Sequence, residues 1–497
     1  MKKIIKIIAI SLAVLALVGL AAYRIWFYNP YEDELRLDPR SVFSEESLPQ
    51  DILIRNAALI DVVEGRVVPN THIHIRDDSI AGIYQDELPD TLEYNTEYDA
   101  QGKYVMPGLI DVHTHLAMHP QLLAGIIKDR DSLVTRVALE QFVRYGVTTI
   151  LTLGGGGAND EEMAELKRLE QRNSIVSPLL FSTGDCITAP GSHPITTIMR
   201  LSEGTDPERL HRAGVSVIAE GEDPQPIIMK KKRLGLDGVK VILESGPPPW
   251  YPNPRLSVET AGRIVERANK QGLPVYVHAT AYREFSDAVS LGNIRGIMHG
   301  VIDSLMDDHR LFKSMKDNDI WYVPTLSVLY GFQSVRNQDR LEDEYLHAGV
   351  SPRALKSLAN PIFKFGFGQA LNKVDLPLGL DISMKNMARI NAEGIRVAMG
   401  TDACTPFTFP GYGAHIEMEL MTQAGLSNEE VLRIATVNGS EFLGVNDIVG
   451  TLEPGKLANM LILEENPLED IRHTRSIKKV VLKGRMIDLT VLSDSHK

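Results

Sequence analysis

VMPGLIDVHTHL, residues 105–116, is an apolar run that stops at two histidines, His113 and His115. The run predicts a strand over 109–115. The two-residue repeat of a strand then puts both imidazoles on one face. Two imidazoles converging on one point suit a borderline-soft divalent cation such as zinc, although a pair of structural histidines reads the same way in isolation. Seven further apolar runs follow, at 147–153, 177–183, 238–243, 274–278, 296–299, 322–327 and 396–401. Helical stretches separate several of them, as at 131–145 and 257–271. Apolar strands alternating with helices predict a parallel sheet covered by helices. Eight such units predict an α/β fold, a (β/α)8 TIM barrel. The connections 185–236 and 328–395 are long enough to carry helices of their own and a lid or binding role.

Outward from this region the texture changes. Residues 51–83 contain short alternating apolar segments with turns at Glu64-Gly65 and Asp77-Asp78, which predict small antiparallel strands. The texture returns at 459–463 and 479–488, after GTLEPG at 450–455. The expected organisation is a barrel over 109–445 and a small β-sandwich domain built from both chain ends, 29–108 and 446–497.

Residues 1–28 belong to neither. Lys2, Lys3 and Lys6 precede an uncharged apolar run from Ile7 to Tyr23, which Arg24 closes before Trp26, Phe27 and Tyr28. This pattern predicts a signal peptide or an N-terminal membrane anchor, with the rest of the chain exported to the periplasm or held facing outside the cytoplasm. The whole chain has 52 basic and 65 acidic residues, a net −13. Residues 1–28 hold four of the basic residues and no acid, so the remainder carries −17. Such a chain lacks the basic footprint of a nucleic-acid binder. Its expected partner is a small-molecule substrate, with membrane contact only through the N-terminal segment; a homo-oligomer is compatible with the sequence. Cys186 and Cys404 are its two cysteines. They exclude a thiolate metal cluster, and the sequence leaves open whether they pair.

The polar residues at the ends of the apolar runs carry the chemistry. Lys240 sits between Val239 and Val241 in DGVKVIL. A lysine within a buried strand is costly unless paired. It reads as an edge residue, a Schiff-base nucleophile or an amine carbamylated by CO2. His278 ends PVYVH and His299 ends IRGIMH. Asp402 ends RVAMGTD, where a carboxylate serves as a general acid/base, a metal ligand or a helix cap.

In this order His113, His115, Lys240, His278, His299 and Asp402 resemble the site of the amidohydrolase superfamily, and the likeness covers nearly all of the chain after about residue 50. VMPGLIDVHTHL and GTLEPGKLANMLIL are similar to its entry and exit motifs. LDGVKV (236–241) is similar to the imidazolonepropionase-like and prolidase-like members with a carbamylated lysine. The resemblance implies a hydrolase cleaving an amide, peptide or cyclic amide bond. It implies two divalent metal ions, zinc by preference, and a CO2-derived carbamate on Lys240 bridging them. His113, His115 and Asp402 would hold one ion, and His278 and His299 the other. A hydroxide shared by the ions would attack, with Asp402 as general base and acid. Lactone or phosphotriester hydrolysis would use the same residues. A single-zinc deaminase would need a Glu three residues after His278, where Ala281 stands. A metal-free binding protein would have lost a ligand, and none is missing.

Substrate contacts are expected from the loops after the strands. His193, in Ser192-His193-Pro194, is a candidate for stabilising the substrate carbonyl. Tyr251, in GPPPWY (246–251), is a candidate for an apolar wall beside Trp250. Tyr282 and Arg283 follow His278, and Arg283 could fork onto a substrate carboxylate. Each also reads as ordinary loop or helix-surface packing.

Overall fold

The computed structural model describes residues 51–116, 132–154, 159–197, 206–245, 253–335, 339–350, 374–405 and 407–494, with single positions at 355, 358, 368 and 371. The segment 1–28 and the loop 246–251, with Trp250 and Tyr251, lie outside the described residues. β1 (Ile52–Asp61), β2 (Arg66–Arg76) and β3 (Ser79–Gln85) form an antiparallel meander. Its two turns fall where the sequence places them, with Gly65 and Asp77 in the left-handed region at φ 63° and 58°. β4 (Thr96–Asp99) and β5 (Tyr104–Pro107) run parallel to β1.

β6 (Leu109–Thr114), β7 (Val147–Thr152) and β8 (Leu179–Ser182) form a parallel sheet. β9 (Cys186–Thr188), β10 (Val215–Val217), β11 (Val239–Ile242), β12 (Val275–His278), β13 (Gly296–Met298) and β14 (Trp321–Val323) form another, in the order β10-β9-β11-β12-β13-β14. Backbone bonds also pass between the two sheets. Asp237 N donates to Ser182 O at 2.8 Å. On the other side, Ala398 N donates to Tyr322 O at 3.0 Å, Val112 N to Met399 O at 2.9 Å and Asp402 N to His113 O at 2.8 Å. The stretch 396–402 therefore lies between β14 and β6.

Alternation along these strands separates two apolar clusters. Val239, Val241, Val275 and Val277 belong to one with the helix residues Ile264 and Phe285. Tyr276, Met298 and Trp321 belong to another with Ile110 and Leu151. Lys240 pairs with Tyr276 across the β11–β12 ladder, on the side opposite its flanking valines. Helix Val258–Lys270 starts where Ser257 Oγ accepts from Thr260 N at 3.1 Å, the expected N-cap.

Three local differences from the sequence reading have physical causes. The run 322–327 is not one strand: β14 ends at Val323 and a helix, Leu326–Gln333, begins three residues later. Pro324 has no N–H for the ladder, and Thr325 turns the chain at φ 48°. The run 396–401 makes ladder bonds and one bridge, Val397 to Tyr322, without a continuous strand. The connection 185–236 contains helices Pro207–Arg212 and Gln225–Leu234 as expected, together with β9 and β10, whose three-residue spans are too short for a periodic signal.

β15 (Met460–Leu463) pairs antiparallel with β5, and β16 (Ile477–Leu482) and β17 (Arg485–Ile487) extend it. Both chain ends thus enter one eight-stranded sheet. Ile54, Ile73, Val105, Met460 and Val481 share its buried cluster. Cys186 and Cys404 are free thiols. Among the described residues no helix is long and apolar enough to cross a membrane.

Candidate active site

The end of β6 and the stretch 396–402 bring three of the expected residues together. Asp402 Oδ1 lies 2.9 Å from His115 Nε2 and 3.4 Å from His113 Nε2. The two rings are 5.5 Å apart at 62°. The His115 ring is held through Nδ1 by the Gly154 carbonyl. Gly154 sits at φ 69°, and a Cβ there would meet Gly184 O at 2.5 Å and Cys186 N at 2.6 Å. Only glycine lets that carbonyl approach.

β11, β12 and β13 supply the others. Lys240 Nζ is 3.5 Å from His113 Nε2. The His299 ring lies 4.6 Å from that of His113 and 4.1 Å from that of His278. His299 and Asp402 both have positive φ, 80° and 61°, a conformation that non-glycine residues keep only where surrounding structure enforces it. His299 Nδ1 is 2.9 Å from Thr325 Oγ1. This contact fixes the ring and turns Nε2 inward, where it is buried and without a hydrogen-bond partner.

Burial sets the charge of the cluster. It pushes His113, His278 and His299 well below the usual histidine range, with Lys240 adding to the effect on each. Neutral imidazole is the metal-binding form. Burial also pushes Lys240 down to about 7, so near neutral pH much of it is the free amine. Several buried imidazoles facing a carboxylate, with an orphaned Nε2 among them, are a donor set suited to a cation. His113, His299 and Asp402 offer ligand atoms within 4.8 Å of one another, and so do His193, Glu244 and His278. The residues fit a metal.

The remaining candidates fall differently. His193 is buried, with Nδ1 2.5 Å from Thr197 Oγ1 and Nε2 3.9 Å from Glu244 Oε2. Its ring is 4.9 Å from that of His278, so it joins the cluster. Tyr282 is turned away, its hydroxyl donating to Asp308 Oδ2 at 3.1 Å. Arg283 is exposed on the same helix, and no contact among the described residues ties it to the cluster.

Three acids that the sequence reading passed over support the site. Asp111 accepts from His113 N at 3.2 Å, Thr401 N at 3.1 Å and Thr401 Oγ1 at 2.6 Å, joining the two segments that carry His113 and Asp402. Burial pushes it up to about 7. Glu417 accepts from Leu326 N and Ser327 N, at the start of the helix after β14. Glu244 contacts His278. Its sequence signal is the one that exposed Asp402: a lone acid closing an apolar strand.

The amidohydrolase family model matches residues 104–487. The chain belongs to the amidohydrolase family. This amidohydrolase is 24% identical over 478 residues to the ochratoxinase of Aspergillus niger, an alignment spanning 92% of this chain and 90% of that one. It is 23% identical over 491 residues to the imidazolonepropionase of Symbiobacterium thermophilum, spanning 88% and 97%. A solved Xaa-Pro dipeptidase with bound methionine superposes with a TM-score of 0.66 at 22% identity, covering 88% of this chain and 99% of that one. The amidohydrolase is thus a hydrolase of carbon–nitrogen bonds.

Proposed function

We propose that this amidohydrolase cleaves the amide bond of a small molecule, a dipeptide, N-acyl amino acid or cyclic amide, at the cluster of His113, His115, Lys240, His278, His299 and Asp402. The observation that carries the reading is the convergence of these side chains, with the buried Nε2 of His299 left unpaired among them. Relatives named ochratoxinase and imidazolonepropionase and a structural neighbour named Xaa-Pro dipeptidase agree with that substrate class.

His113, His115, Lys240, His278, His299 and Asp402 would hold two divalent cations, zinc by preference, which when bound would supply Lewis acidity toward the scissile carbonyl and acidify a water near neutral pH. The chain's own groups do the rest. Asp402 takes a proton from the attacking water and returns it to the leaving nitrogen. His113 and His115 hold Asp402 through Oδ1, and Asp111 holds His113 in turn. Thr325 orients His299. The neutral fraction of Lys240 would attack CO2 through Nζ, the N–C bond forming as one C=O π bond opens onto oxygen and Nζ releases a proton. The resulting carbamate is a further carboxylate for the metals.

The continuous bonding β6-β7-β8, then β11 to β14 and 396–402, supports a closed (β/α)8 barrel over 109–445. The composite sheet supports a small β-sandwich domain from 29–108 and 446–497. The charge and hydropathy of residues 1–28 support export. The test is hydrolysis of a panel of dipeptides, N-acyl amino acids, cyclic amides and lactones, before and after chelation. Cleavage of an amide that chelation abolishes and zinc restores is the expected result. Lactone cleavage alone, or activity indifferent to chelation, overturns the reading.

A further inference from the structure

The resemblance in the sequence pairs His278 with His299. Their rings are 4.1 Å apart, but their potential ligand atoms fall into different groups. His299 shares its ligand group with His113 and Asp402, whereas His278 shares one with Glu244 and His193. Glu244 is 1% exposed. It closes the β11 segment, whose Leu243 N still donates to His278 O at 3.1 Å. One carboxylate oxygen, Oε1, accepts from Thr280 Oγ1 at 2.8 Å. The other, Oε2, meets His278 Nε2 in a contact closer than an ordinary hydrogen bond and lies 3.9 Å from His193 Nε2. His193 is itself held through Nδ1 by Thr197 Oγ1.

We propose that Glu244 is a metal ligand, and that His278, Glu244 and His193 form a separate three-donor site for the second cation. A carboxylate removed from water needs compensating charge or hydrogen bonds, and Oε2 faces two imidazole nitrogens. Two imidazoles and a carboxylate are an ordinary donor set for catalytic zinc, with bonds of roughly 2.0–2.2 Å that place the donors about 3.3 Å apart. The three donors need little movement to reach that spacing. Two of them are supported from behind, as metal ligands are: Glu244 by Thr280 and His193 by Thr197. The second cation therefore has a carboxylate from the chain itself and is held without CO2. His193 serves as a ligand here and not as a donor to the substrate carbonyl.

The inference rests on the two-cation reading above and is tested without activity. The full chain is loaded with Co(II) in CO2-free buffer. Bound cobalt is counted and its visible absorption is titrated, for the wild type, Glu244→Gln and Thr280→Val. Two cobalt ions are expected in the wild type. In Glu244→Gln one remains with unchanged absorption, which also reports the intact fold, while the second binds at least about 100-fold more weakly. In Thr280→Val both remain, the second about 10-fold weaker. Should Glu244→Gln not fold, the Thr280→Val affinity decides. A wild type holding fewer than two ions overturns the two-cation reading and this inference with it. A wild type with two ions and variants of unchanged affinity overturns this inference alone.

Discussion

Glu417 is the acid whose titration should be most visible in stability. Its side chain is fully buried, with Oε1 accepting from Leu326 N at 2.9 Å and Oε2 from Ser327 N at 2.6 Å. Helix Leu326–Gln333 has Thr325 at its N-cap, but the Thr325 side chain makes no cap bond because its hydroxyl is engaged with His299. Glu417 caps that helix from another part of the chain. Two opposing effects set its charge. Burial favours the neutral acid; the two N–H donors and the helix N-terminus favour the carboxylate. Burial wins, and the group is pushed from 4.5 up to about 8. An acid raised on folding contributes stability that is fully present below its unfolded pKa and is lost as pH rises through its folded one. At about 1.4 kcal/mol per pKa unit, linkage gives a loss of roughly 3–4 kcal/mol between pH 5 and pH 8. Glu417→Gln cannot titrate and lacks this loss. Urea midpoints and slopes measured for both proteins at pH 5, 6, 7 and 8 isolate it together with its electrostatic link to Asp111. The wild type should fall relative to the variant as pH rises. Parallel curves, or a wild type that gains on the variant, would refute the dominance of burial.

Asp111→Ala leaves three buried donors without an acceptor, at about 1–3 kcal/mol each. It should cost at least about 3 kcal/mol in urea unfolding and lower metal content, whereas Asp111→Asn, which keeps an acceptor, should cost much less. Lys231 is fully buried and its Nζ donates to Asp160 Oδ1 at 2.8 Å and to the carbonyls of Thr183 and Asp185 at 2.7 Å. Lys231→Met leaves Asp160 with Lys230 at 3.3 Å and the Asp185 N–H, and leaves two buried carbonyls without this donor; it should destabilise by about 2–4 kcal/mol, seen as a lower denaturation midpoint. Thr325→Val frees the His299 ring and should weaken zinc binding about 10–100-fold, read by competition with a chelating dye while the circular dichroism spectrum stays the same. If Arg283 reads a substrate carboxylate, Arg283→Ala raises KM for N-acyl amino acids at least about 10-fold, with kcat for an uncharged amide unaltered; an equal KM removes Arg283 from the site.

The sequence by itself determined six of the eight strand runs, all but 322–327 and 396–401, because apolar patterning is local. It also determined the donor types. His113, His115, His278, His299 and Asp402 stand out as polar residues closing apolar segments and Lys240 as one inside such a segment, a signal independent of any contact. What it could not determine is which donor faces which. Ring positions depend on the backbone turning at His299 and Asp402, on the Gly154 carbonyl that orients His115, and on Thr325, whose hydroxyl bonds His299 rather than its own helix. Asp111 and Glu417 escaped the sequence reading because their partners, Thr401 and Leu326–Ser327, lie far away along the chain. Glu244 carried the same local signal as Asp402, yet only tertiary packing brought it to His278 and His193. Local periodicity fixes what each segment offers; the pairing of strands that are distant in sequence decides which offers meet at one point.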